Sequence, residues 1–167
     1  MRLRDLIKIK KTITALGKWQ VGKMPRSAFP LSKSGNRAYR LGNRRWRVVE
    51  FTVESLCFRL LINYNPLLLQ YQAMLGLTQG NDTKVLASLE YHGTHGSWHV
   101  HTSCDIFDSI PAGIKRGPWI TRLPSPKNYN RAGIFVIGDD AAFTRAIDFF
   151  GLDKTADSTT DAPRFPL

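Results

Sequence analysis

The chain has 167 residues, 43% of them hydrophobic and 22% charged, with a formal net charge of +11 and an isoelectric point near 10.1. That length suits a single domain with a real core, and that composition excludes wholesale disorder. The positive excess points to a polyanionic partner, nucleic acid ahead of an anionic membrane surface, and no apolar run has membrane-spanning length.

Leu3, Leu6, Ile7, Ile9, Ile13 and Leu16, spaced among lysines, predict a basic amphipathic helix over residues 3–16 that Gly17 stops. Met1–Lys8 lacks the unbroken apolar stretch of a signal peptide. Residues 17–45 read as a long basic arm. Lys18, Lys23, Arg26, Lys33, Arg37, Arg40, Arg44 and Arg45 interleave there with Trp19, Phe29 and Tyr39. That mixture suits single-stranded DNA or RNA, charge following the backbone while rings stack on bases.

Strands are expected at 46–54 and 58–64. Asn65 and Pro66 then look like the cap and first residue of a helix running through Leu67, Leu68, Leu69, Tyr71, Met74 and Leu75 to Gly76. A turn is expected at 78–83. The segment 108–131 is rich in proline and is expected to be irregular. A short buried strand is expected at 133–138, then a helix over 140–150 capped by Asp139 and ended by Gly151. Residues 153–167 read as a flexible tail.

The fold expected from this order is α+β, a mainly antiparallel sheet with helices packed on one face. The chain divides into a basic N-terminal helix and arm (1–45), a core domain (46–152) and the tail. Cys57 and Cys104 are read as reduced thiols of a cytoplasmic protein, since secreted disulfide scaffolds carry more cysteines.

The most informative stretch is 91–101, Tyr-His-Gly-Thr-His-Gly-Ser-Trp-His-Val-His, which holds all 4 histidines of the chain. It reads as a β-hairpin turning at Thr94–Ser97. Strand alternation puts Glu90 and His92 on one face, and His99 and His101 on one face. The expected register sets His92 opposite His99 and Glu90 opposite His101, so that three imidazoles and a carboxylate converge. Such groups ligate Mn²⁺, Mg²⁺ or Zn²⁺, and an ion held with open positions can bind and activate a phosphodiester. Glu90, His92, His99 and His101 are the candidate ligands, while His95 at the turn tip is not one.

The segment 84–107 resembles the metal hairpin of the HUH endonucleases, which include rolling-circle replication initiators, relaxases and single-strand transposases. His99-Val100-His101 matches their histidine–apolar–histidine strand, and Glu90 their upstream acidic ligand. The resemblance implies a divalent metal, single-stranded DNA as substrate, and a tyrosine that attacks the scissile phosphate. Tyr129 or Tyr71 would be that nucleophile. Two other readings use the same residues. In a metal-independent, toxin-like ribonuclease, Glu90, His99 and His101 would be the acid–base set, with Arg116 or Arg122 stabilising the phosphorane. In a non-catalytic nucleic-acid- or protein-binding module, the hairpin would carry structural Zn²⁺, with Cys104 or Asp105 as a further ligand.

Overall fold

A computed structural model describes residues 1–31, 39–94, 97–103, 106–113, 120–124, 135–136 and 138–153. Eight strands among them form one antiparallel sheet: β1 (Thr12–Ala15), β2 (Gln20–Val21), β3 (Arg45–Val53), β4 (Leu56–Asn65), β5 (Gln70–Gln79), β6 (Asp82–His92), β7 (Ser97–Ser103) and β8 (Ile120–Pro124). From β3 to β8 the strands lie side by side in chain order, with β1 and β2 both pairing with β3. Helix α1 (Leu3–Lys8) precedes the sheet and α2 (Asp139–Phe150) follows it. The expected α+β, mainly antiparallel architecture is the one observed.

The two faces of the sheet differ. Val49, Phe51, Phe58, Leu60, Ile62, Tyr64, Tyr71, Ala73, Leu89, Tyr91, Trp98 and Val100 line one of them. They share a core with Leu6 of α1, with Phe135, and with Ala142, Ala146, Ile147 and Phe150 of α2. On the other face a smaller core gathers Trp46, Leu61, Met74 and Val85 under Met24, Phe29 and Leu31. Residues 17–31 are therefore not a free arm, because their apolar side chains cover part of the sheet. Gly76 makes room for them: a Cβ there would lie 2.1 Å from Thr83 Cγ2 and 3.1 Å from Phe29 Cζ.

Four expectations are corrected. First, the N-terminal helix ends at Lys8, and Thr12–Ala15 pairs with β3 instead. Lys11, which the amphipathic reading leaves in solvent, is buried. Its ammonium donates to Ile7 O (3.1 Å), Ile9 O (3.0 Å) and Gly151 O (3.1 Å), tying together the ends of α1 and α2.

Second, no helix follows Asn65. Its side chain accepts from the N–H groups of Leu67 (2.9 Å) and Leu68 (3.3 Å) and so caps a tight turn. Leu69 completes the reversal at φ +48°, and the chain returns as β5. Apolar side chains with near-helical spacing satisfy a doubly buried strand equally well. Third, Ile120–Pro124 adds a strand inside the segment expected to be irregular.

Fourth, Gly138 rather than Asp139 is the N-cap of α2. Asp139 instead docks the helix on the sheet. It accepts from Arg45 Nε at 2.7 Å and Tyr64 Oη at 2.7 Å, and forms an ion pair with Arg45 Nη2. The Arg45 hydrogen bond holds its carboxyl below the usual range, while burial foremost pushes the Tyr64 hydroxyl up to about 12. Among the described residues Phe135 and Val136 have no strand partner; the rest of the strand expected at 133–138 lies outside them, except Gly138, which is a bend. Of the expected tail only Asp153 is described.

Candidate metal centre

The site grows from an irregularity in β6. The β5–β6 register runs Gly76↔Val85 and then Leu75↔Ala87, leaving Leu86 as an extra residue. Val85 packs on the smaller core, whereas both Leu86 and Ala87 enter the main one. The bulge thus resets the alternation. Beyond it, Ala87, Leu89 and Tyr91 face α2, and Ser88, Glu90 and His92 face the opposite side. An unbroken strand would have put Glu90 under the helix.

Strand β7 brings up the remaining groups. Trp98 and Val100 enter the main core, so His99 and His101 share the face of Glu90. The expected convergence is present, but the pairing differs by two residues. Glu90 opposes His99, Ser88 opposes His101, and His92 opposes Ser97. A shift of two preserves faces, whereas a shift of one would have divided the site. The Gly93 N–H donates to Leu69 O (3.0 Å), carrying the β5–β6 contact one residue beyond His92.

Glu90 is the centre. Its Oε2 lies 3.3 Å from His92 Nε2, 3.4 Å from His99 Nε2 and 3.8 Å from His101 Nε2. Its Oε1 accepts from Ser88 Oγ (2.9 Å) and Gln72 Nε2 (3.0 Å). The Glu90 side chain is 3% exposed, so one carboxylate oxygen is held by neutral donors while the other is presented to imidazoles. The rings of His92 and His99 stack with centroids 5.0 Å apart, and those of His99 and His101 meet edge to face at 5.1 Å.

A buried carboxylate surrounded by imidazoles needs a compensating cation. His99 is poorly suited to supply it by protonation: burial above all holds its pKa below the usual histidine range, with Arg122, His92 and His101 acting in the same direction and Glu90 opposing them. A neutral imidazole is the ligating form. One ligand atom each from Glu90, His99 and His101 lies within 4.8 Å of the others, a group that could hold a metal ion. His92, the fourth expected ligand, touches Glu90 but is not part of this group; it is the most exposed of the three histidines around the carboxylate. His99 Nδ1 is buried and has no hydrogen-bond partner among the described residues.

Three supporting residues were missed by the sequence reading. Trp46, Asn63, Gln72, Glu90 and His99 are successive cross-strand neighbours from β3 to β7. Asn63 Nδ2 reaches Gln72 Oε1 (3.3 Å), and Gln72 in turn donates to Glu90. Gln72 was hidden by the mistaken helix, and Ser88 looked like an ordinary strand residue. Arg122 on β8 opposes His101, and its charge acts on His99.

The other expected residues lie elsewhere. Tyr71 points to the opposite face, is 1% exposed and donates its hydroxyl to Ala142 O at 3.1 Å. It cannot reach a phosphate at the histidines without the sheet opening. Tyr129, Arg116, His95, Cys104 and Asp105 lie outside the described residues. Cys57 is an exposed free thiol. Among the described residues no helix is long and apolar enough to cross a membrane.

No protein-family model, curated protein or solved structure matches the chain.

Proposed function

We propose that the chain is a metal-assisted nucleic-acid phosphodiesterase, an endonuclease or nickase working from the Glu90–His99–His101 face. The observation that carries this reading is the convergence of three imidazole Nε2 atoms on one buried carboxylate oxygen, at 3.3–3.8 Å. Glu90, His99 and His101 would hold a divalent ion. Bound there, the ion would neutralise a phosphodiester and polarise it for attack. His92, at the solvent edge, would exchange a proton with the attacking or leaving oxygen. Arg122 would offset charge on the phosphorane. The net charge of +11 supports a polyanionic substrate.

The test is cleavage of labelled single-stranded DNA and RNA with Mn²⁺, Mg²⁺ or Zn²⁺, with and without chelator, for the unsubstituted protein and His101→Ala. Cleavage that needs metal and His101 supports the reading. If His101→Ala folds and cleaves normally, the reading is wrong. A covalent protein–DNA adduct on a denaturing gel, lost in Tyr129→Phe, would add the HUH-type nucleophile, since Tyr71 is buried on the other face. One observation favours the acid–base ribonuclease as second reading: Arg122 lies beside the imidazoles, across the ladder from His101. RNA cleavage that survives chelation would select it.

A further inference from the structure

Among the described residues of the 17–45 segment, Arg44 is the arginine that the fold brings beside the Glu90 cluster through a chain of polar contacts. Its Nη1 donates to Asn63 Oδ1 at 2.8 Å and its Nη2 to Gln70 Oε1 at 2.6 Å. Both acceptors are amides, which fix the fork without neutralising it. Asn63 connects through Gln72 to Glu90, and Gln70 is the cross-strand partner of His92. The Arg44 guanidinium also feels the Glu90 charge. It therefore stands on the metal-cluster face, over β4 and β5. Arg122 stands on the same face at the opposite side, on β8, with its side chain exposed.

The order across the sheet is Arg44, then the Glu90–His99–His101 group on β6 and β7, then Arg122. Strands in a sheet are ~4.8 Å apart, so β5 to β8 spans about 14 Å. A cation fixed on either side of a metal centre matches the repeating negative charge of a polynucleotide backbone.

We propose that Arg44 and Arg122 bind the phosphates flanking the one at the metal centre, so that a single nucleic-acid strand crosses the β-strands from β4 to β8. The inference rests on the phosphodiesterase reading for what happens at the centre, and on its own geometry for the track. Glu90 and His99 are 2% and 5% exposed at the floor of this face. A reacting phosphate must therefore come down to the sheet, which a flexible single strand does more readily than a duplex.

The experiment measures affinity for labelled oligothymidylate against potassium chloride concentration, in Mn²⁺, for the unsubstituted protein, Arg44→Gln, Arg122→Gln, Arg44→Lys and the distant Lys10→Gln. Mn²⁺ uptake is titrated in each, and oligouridylate in parallel shows whether the strand is DNA or RNA. Each phosphate contact to a single strand adds ~0.7 to the log–log salt slope. Arg44→Gln and Arg122→Gln are each expected to lose about that much slope and to bind roughly tenfold more weakly at low salt, with Mn²⁺ uptake intact. Arg44→Lys keeps the charge and is expected to keep the slope, and Lys10→Gln to change neither. A fork that only braced Asn63 and Gln70 would fail equally as lysine. Slopes unchanged in both glutamine variants, or Mn²⁺ uptake lost in Arg44→Gln, would overturn the track. Binding with the expected slope losses but no cleavage under any metal would keep the track and remove the enzyme reading.

Discussion

Glu90 and His99 face each other across the β6–β7 ladder, with the carboxylate oxygen 3.4 Å from the imidazole Nε2 and both side chains buried. Neither group satisfies the other completely. The carboxylate prefers a cation, and burial keeps the imidazole neutral. A divalent ion would resolve that conflict, because it would compensate the carboxylate and take the imidazole lone pair.

Metal binding should therefore stabilise the fold. A ligand present at about a hundred times its Kd adds about 2.7 kcal/mol, which a thermal melt with and without Mn²⁺ or Zn²⁺ reads directly. Glu90→Gln keeps a carbonyl oxygen able to accept from Ser88 and Gln72, so apo stability should stay within about 1 kcal/mol of the original. The metal-dependent rise in Tm should vanish in Glu90→Gln and His101→Ala. A full rise in either variant would locate the ion elsewhere.

The pH dependence follows from His99. Its folded pKa lies below the unfolded value, about 6.5. The unfolded chain thus takes up a proton more readily than the folded one. The contribution of His99 to stability is complete above about pH 6.5 and is lost as pH falls from there through the folded pKa. Metal uptake should weaken over the same window, because protons compete for the ligand. Melts of apo protein against pH should decline below about 6.5, and His99→Gln should flatten that part of the profile. Superimposable profiles would mean that His99 titrates normally.

Much of this site was legible in the sequence, because strand alternation pairs Glu90 with His92 and His99 with His101, and any even shift between the two strands keeps both pairs on one face. Glu90, His92, His99 and His101 fall on one side under either pairing. The register itself was not legible. Beside the turn of the histidine hairpin Gly93 bonds to Leu69, a contact with a hairpin that the sequence disguised as a helix. Asn65-Pro66 followed by Leu67-Leu68-Leu69 carries every local sign of a helix start, yet Asn65 caps a turn there and the strand ladder takes the rest. The bulge at Leu86 leaves no signature in residue type, although the placement of Glu90 depends on it. Strands β3 and β4 and helix α2 were legible, because alternation and 3.6-residue periodicity dominate those segments.

Tyr71 separates a structural tyrosine from a nucleophile. Its hydroxyl donates to Ala142 O within the main core. Tyr71→Phe should cost about 1 kcal/mol, the usual net value of such a hydrogen bond, with cleavage unchanged. Denaturant unfolding and an oligonucleotide assay check both parts. A large loss of cleavage at preserved stability would return Tyr71 to the chemistry.

The contact between the two hairpin ends can be tested by a double-mutant cycle. A Cβ on Gly93 would lie 2.6 Å from Leu69 Cβ and 3.2 Å from the carbonyl oxygens of Leu68 and Leu69. Gly93→Ala should therefore cost about 1–3 kcal/mol, as overpacking does. Leu69 has φ +48°, which suits glycine, so Leu69→Gly should be neutral or stabilise by up to about 1 kcal/mol. Combining them removes the Cβ–Cβ clash but not the approach to the two carbonyls, so the double variant should recover part of the Gly93→Ala loss. The coupling, read from chemical denaturation of all four proteins, should be about 0.5 kcal/mol or more. Strict additivity would mean that the β4–β5 turn does not press on the histidine hairpin, and the origin of its register would have to be sought in the loop residues themselves.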